Sequence, residues 1–181
     1  MKINYDNMIV ESSLFEEGSE AQTYFTNQKS MCKALLQDVY GDNHCVVKLV
    51  DSLSKEVKFC IRFSSEAPPN NLNLIVLYRS DRFIIELDNF LYFISLSKGD
   101  IVSKVELHTP LIGLHCSGEK LLILEEAGFK VVDTDGEIKQ EETTDLIEDF
   151  TLKNTILNLI TMEGDQQEIK LLLWKRNLQA R

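Results

Sequence analysis

Arg82-Phe83-Ile84-Ile85-Glu86-Leu87-Asp88-Asn89-Phe90-Leu91-Tyr92-Phe93-Ile94-Ser95-Leu96 is the stretch on which the fold turns. Two short runs of β-branched and aromatic residues flank Asp88-Asn89, a pair that tolerates the left-handed backbone of a tight turn. The stretch therefore reads as an antiparallel hairpin. Ser97-Lys98-Gly99-Asp100 follows as a second tight turn. Beyond it, Ile101-Val102-Ser103-Lys104-Val105-Glu106-Leu107 alternates apolar and polar residues, the period of a strand with one face buried.

The pattern returns downstream. Lys120-Leu121-Leu122-Ile123-Leu124-Glu125, a turn at Glu126-Ala127-Gly128, Phe129-Lys130-Val131-Val132-Asp133, an Asp135-Gly136 turn of type I′, and Glu137-Ile138-Lys139 form a second copy. A further copy runs from Thr155 to Thr161, turns at Glu163-Gly164-Asp165, and continues from Glu168 to Trp174. An earlier one begins at Val46, where Ser52-Leu53-Ser54-Lys55 repeats the letters of Ser95-Leu96-Ser97-Lys98 at a distance of 43 positions (95 − 52). Phe129 lies 39 after Phe90 and Gly136 lies 37 after Gly99.

Units of roughly 35–45 residues, each a run of strands and tight turns, are the sequence form of propeller blades. Over residues 44–174 the chain resembles a β-propeller-like repeat, with shared residues at the turns. It lacks the Trp-Asp ending of WD repeats and the paired glycines of kelch repeats, so the resemblance implies an architecture rather than a particular family. The expected fold is mainly β: repeated antiparallel hairpin units forming a partial or small propeller, or an antiparallel meander or sandwich. A partial ring leaves sheet edges that must be covered or paired.

The chain is expected to be a single domain over 1–181, with an irregular part at 1–43, repeats at 44–174 and a basic tail at 175–181. Within 1–43, Met8-Ile9-Val10 and Thr23-Tyr24-Phe25 read as short strands around an acidic loop, Glu16 to Glu20. Ser30 to Tyr40 places Met31, Ala34, Leu35, Asp38 and Val39 at helical spacing with Gly41 as a stop, so a short helix is expected near 30–40, a strand being the alternative. Ser64 to Asn71, with Pro68-Pro69, is the clearest loop.

The amino terminus shows neither a basic start followed by an apolar secretory stretch nor, anywhere, a run long enough to span a bilayer, which predicts a cytoplasmic protein without membrane contact. Cys32, Cys45, Cys60 and Cys116 form no Cys-x-x-Cys pair, and three of them sit in apolar surroundings, so buried free thiols are expected. His44-Cys45 and His115-Cys116 are poor metal pairs, because neighbours on a strand point to opposite faces. Asp133-Thr134-Asp135-Gly136-Glu137 fails the calcium-loop spacing, since position 144 holds Thr144 where a glutamate is needed. No nucleophile elbow, phosphate loop or dinucleotide fingerprint occurs. We therefore expect no cofactor, no metal and no catalytic residues.

Charge is the remaining signal. The net charge is −10, and Glu119 to Asp149 contributes −8, eleven acids against Lys120, Lys130 and Lys139. The candidate partner-binding residues are Asp133, Asp135, Glu137, Glu141, Glu142, Asp145, Glu148 and Asp149. Such a surface suits a basic protein partner and repels phosphate backbones, which need Lys and Arg. The leading expectation is a non-enzymatic interaction module, in its most concrete form an acidic inhibitor or immunity-type protein that neutralises a basic toxin or nuclease. The alternatives are a structural subunit that pairs through sheet edges, a homodimer included, and an enzyme with a scattered carboxylate site.

Overall fold

A computed structural model describes residues 2–5, 7–37, 39–66 and 73–171. The chain divides into two compact units, Met1–Lys104 and Val105–Arg181. Each unit contains two sheets built from the hairpins that the sequence repeats.

The first sheet of the first unit comprises β1 (Lys2–Tyr5), β2 (Met8–Phe15), β3 (Ser30–Leu35), β4 (Asn43–Asp51) and β5 (Val57–Ser65) in the order β1-β2-β4-β5-β3. β1, β2, β4 and β5 form an antiparallel meander, whereas β3 joins the far side parallel to β5. The regular hairpin pattern thus starts well before residue 44, and β3 with the helix α1 (Gly18–Asn27) is an insertion between its second and third strands. The second sheet is an antiparallel series, β6 (Leu74–Leu77), β7 (Arg82–Leu87), β8 (Phe90–Ser95) and β9 (Ile101–Glu106). The division between units falls inside β9.

In the first unit the core is built from alternate residues. Cys45, Val47 and Leu49 of β4 and Phe59, Ile61 and Phe63 of β5 pack against Phe83 and Ile85 of β7 and Tyr92 and Ile94 of β8. The Phe59 and Phe83 rings lie 5.3 Å apart. The opposite face of β4 is also buried: Val46, with Cys60 of β5, packs under Ala21 and Phe25 of α1. Burial on both faces explains why β4 reads as a continuous apolar run rather than an alternating one.

The helix lies at Gly18–Asn27, not near 30–40, and it contains Thr23-Tyr24-Phe25, expected as a strand. Its acidic start suits a helix amino terminus, and Ala21 and Phe25, four apart, supply the buried face. Ser30–Leu35 takes the strand alternative, burying Ala34. Lys33 on that strand donates from Nζ to the carbonyls of Phe25 and Thr26 at 2.8 Å, closing the helix's carboxyl end. Asp38 and the prolines of the 64–71 loop lie outside the described residues.

In the second unit, β10 (Leu111–Ser117), β11 (Lys120–Glu125), β12 (Gly128–Asp133) and β13 (Ile138–Thr143) form one antiparallel sheet. The other sheet comprises β14 (Ile147–Lys153), β15 (Ile156–Thr161) and β16 (Gln166–Lys170). Leu122, Leu124, Phe129 and Val131 from the first pack on Leu157, Leu159 and Leu171 from the second. The expected copy beyond Leu171 and the basic tail at 175–181 fall outside the described residues.

The repeats are aligned by their turns. Ser95 N–H donates to the Asp100 carbonyl and Gly99 N–H to Ser95; Asp51 N–H donates likewise to Glu56 and Lys55 N–H to Asp51. Lys55 (φ +62°) therefore occupies the left-handed position of Gly99 (φ +78°). The structural offset is 44 (99 − 55), one more than the offset at which the Ser-Leu-Ser-Lys letters coincide. The Asp133–Glu137 and Thr161–Asp165 turns share a different bonding pattern, with Gly136 and Gly164 in matching positions. Gly136 is left-handed (φ +81°) but Asp135 is not, so this turn is not type I′, which requires two such residues.

Gly99 also seats the β8–β9 turn on β3, since a Cβ there would lie 2.2 Å from the Lys33 carbonyl oxygen. At Gly164 (φ +87°) nothing lies within 4 Å. Gly164→Ala is expected to cost about 1 kcal/mol, the strain of a left-handed alanine. Gly99→Ala is expected to cost more, because β3 must also move. Urea denaturation of both variants measures the difference, and equal losses would mean that the turn is not held against β3.

Candidate partner-binding face

The acidic candidates all belong to the second unit. Asp133, Asp135 and Glu137 occupy the β12–β13 turn, Glu141 and Glu142 lie on β13, Asp145 lies in the β13–β14 connection, and Glu148 and Asp149 lie on β14. Among the described residues β13 and β14 each stand at the outer edge of their sheet. Seven of the eight are exposed; Asp133 is half-buried.

Asp133 is a structural residue. Its Oδ1 accepts the N–H groups of Asp135 and Glu137 at 3.0 Å, and its Oδ2 lies 3.0 Å from Lys139 Nζ. Partial burial pushes its carboxyl up, but Lys139 and the two N–H donors outweigh this and hold it below the usual value. Glu137 pairs with the same lysine. The β13–β14 connection is anchored by Thr144 N–H to the Ala127 carbonyl (3.1 Å) and Ile147 N–H to the Glu126 carbonyl (2.7 Å). There Asp145 meets Glu163 and Asp165, and oxygens of the three exposed carboxylates lie within 4.8 Å of one another, close enough to share a cation. The eight candidates thus form a strip along two outer strands rather than one cluster.

A second feature escaped sequence reading. Glu125 and Lys130 are 4% and 3% exposed and form an ion pair. Glu125 Oε2 also accepts the N–H groups of His108 and Thr109, the latter at 3.0 Å, tying the segment before β10 to β11. Glu141 Oε1 lies 3.4 Å from Lys130 Nζ and 3.5 Å from His108 Nε2. The sequence signal is a glutamate ending one apolar run and a lysine inside the next. Across the short β11–β12 turn Ile123 opposes Lys130, and period-two alternation puts Glu125 on their face.

The histidine–cysteine pairs separate as strand geometry requires. His44 Nδ1 meets Ser64 Oγ at 2.9 Å, while Cys45 enters the core. Burial pushes the Cys45 and Cys60 thiols up to about 11. Cys116, expected to be buried, is exposed, because it lies one residue from the β10–β11 turn and its thiol points to the Gly118 carbonyl. His115 packs edge-on against Phe150 at 5.5 Å, and its Nε2 is buried without a partner among the described residues.

No protein-family model matches the sequence, and no curated protein matches it either. Solved structures do match. The computationally designed Ika8 protein is 12% identical with a TM-score of 0.56 over 94% of this chain and 45% of its own. BamB from Moraxella catarrhalis is 13% identical with a TM-score of 0.51 over 78% of this chain and 50% of its own. The repeat architecture is propeller-like. The designed Ika4 protein is 12% identical with a TM-score of 0.51, covering 78% of this chain and 97% of its own. The chain spans about half of the propeller-like BamB, so identities this low speak to the fold alone.

Two predictions follow from the buried polar groups. Removing one member of a buried ion pair strands its partner, at a cost of about 3–5 kcal/mol. Glu125→Ala strands Lys130 and two N–H donors, whereas Lys130→Met leaves Glu125 with both donors. Glu125→Ala is expected to lower the urea midpoint more; the reverse order would contradict the assigned network. His115 supplies a pH dependence. Burial holds its pKa below the usual 6.5, so the unfolded chain is protonated first as pH falls. Its contribution is complete above about pH 6.5 and is lost as pH drops through the lower native value. Melting temperatures at about pH 7.5 and 5.5 should differ less in His115→Leu than in the parent; an equal difference would exclude His115 as a source.

Proposed function

We propose that this protein is a non-enzymatic interaction module whose acidic strip binds and neutralises a basic protein partner, as an inhibitor of a cationic toxin or nuclease does. The observation that carries the reading is the imbalance between free and engaged charge in the second unit. Seven candidate carboxylates are exposed on or beside outer strands, while Lys130 and Lys139 are held by internal carboxylates. A surface of one sign accelerates encounter with a partner of the other sign and discriminates among partners more than it adds affinity. Polyanions such as nucleic acids are repelled by the same field.

Two further observations support the reading. Glu125 and Lys130, the buried charged pair of this unit, bind each other and a loop, an arrangement suited to holding a surface rigid. The free thiols of Cys45 and Cys60 suit a reducing compartment, and on this reading the protein works in the cytoplasm. Pairing with a second copy through β13 is less favoured, because like charges would face one another across the new ladder.

The test uses the tagged full chain with the basic partner that co-purifies with it. Reversing Glu137, Glu148 and Asp149 to Lys together is expected to slow association by about tenfold or more at low salt. The parent's association rate should itself fall as ionic strength rises. An association rate unchanged by the triple reversal would end this reading.

A further inference from the structure

Beside the strip, the second unit contains a cleft of about 450 Å³ at the end of the β11–β12 hairpin. Ala127, the Gly128 backbone and Phe129 form its apolar wall, and Glu141, Glu142 and Thr143 bring β13 to its mouth. At its floor lie Glu125 and Lys130. Three carboxylates and one ammonium line the space, so with His108 neutral the cleft carries a formal charge of −2 (1 − 3).

The arrangement selects its occupant. An anion is rejected by the net charge. An uncharged apolar group would fill the volume but strip water from Glu141 and Glu142 without replacing it. A long side chain with a cationic end satisfies both demands, its methylenes against Ala127 and Phe129 and its head at the carboxylates. Lys130 does not oppose such a head with its full charge, because Glu125 neutralises it from below. The mouth is also fixed in place. Glu141 is positioned by Lys130 and His108. A Cβ at Gly128 would lie 2.6 Å from the Glu142 carbonyl oxygen, so β12 and β13 approach closely there.

We propose that this cleft receives one arginine or lysine side chain of the basic partner, its head between Glu141 and Glu142. The inference rests on the acidic-strip reading and specifies where on that strip a partner side chain is anchored. The cleft is the point of the strip where charge, apolar contact and a rigid frame coincide.

The test titrates the full chain with N-acetyl-arginine amide and N-acetyl-lysine amide, following backbone amide resonances by NMR, with N-acetyl-citrulline amide as the neutral isostere. Saturable shifts are expected at Ala127, Gly128 and Thr143 with one or both cations and not with citrulline. Glu142→Gln, an exposed change, should weaken this response roughly fivefold, while Glu148→Lys with Asp149→Lys leaves the shifts confined to the same amides. A similar response to citrulline, no saturable shift, or full binding by Glu142→Gln overturns the proposal. Should the cleft fail while the Glu137, Glu148 and Asp149 reversal still slows association, the strip stands without the cleft. Should the cleft bind while that reversal has no effect, it is the strip that fails.

Discussion

Register is the constraint on which this structure depends. In a strand with period-two alternation, a slip of one residue turns the buried face to water, so whatever fixes the turns fixes the core. Each unit of the repeat uses the same device. The last residue before the turn carries a side-chain oxygen that accepts N–H groups from the turn: Asp51 from Leu53 and Ser54, Ser95 from Lys98, Asp133 from Asp135 and Glu137, Thr161 from Asp165. These bonds satisfy donors that the bend would otherwise leave unpaired. They also commit the residue. Asp133 reads in the sequence as one more surface acid, yet its carboxylate closes a turn and holds Lys139, which leaves it little capacity for a partner.

The same device shows what a single sequence makes legible. Hairpins, turns and the mainly β character could be read because alternation and turn chemistry are local. The exact alignment of the copies could not. The letters of Ser52-Leu53-Ser54-Lys55 match Ser95 to Lys98, but the hydrogen bonds pair Lys55 with Gly99. A lysine is a poor guide to a left-handed position, because nothing in its side chain announces that conformation. The helix was missed for a different reason. Thr23-Tyr24-Phe25 is rich in strand-forming residues, and only the surface offered by Val46 and Cys60 makes burying Ala21 and Phe25 from one helical face the better solution. Tertiary packing overrode propensity there.

The candidate face was legible as charge and illegible as geometry. Counting acids between Glu119 and Asp149 locates the strip, but it cannot tell Asp133, used internally, from Glu142, which stands exposed at the cleft. Nor can it show that Lys130, counted as a compensating cation, is buried and engaged by Glu125. Long-range placement decides both. Glu163 and Asp165, outside the acidic stretch by residue number, join Asp145 because the β15–β16 turn returns to the β13–β14 connection, where Met162 N–H donates to the Leu146 carbonyl at 2.8 Å.

Acids on an outer strand answer two demands at once. An edge of unpaired backbone invites another strand, and charge along it discourages that pairing. β13 carries Glu141 and Glu142 on opposite faces, so either face of an added copy would meet a carboxylate. The protection is selective by sign. A second copy of this chain is repelled, whereas a basic surface finds the edge undefended and gains from each carboxylate it covers. Residues that keep the sheet from pairing with itself therefore also define what it can bind. The internal ties of Lys130 and Lys139 sharpen that selectivity, because cations left mobile on the same strip would have screened it.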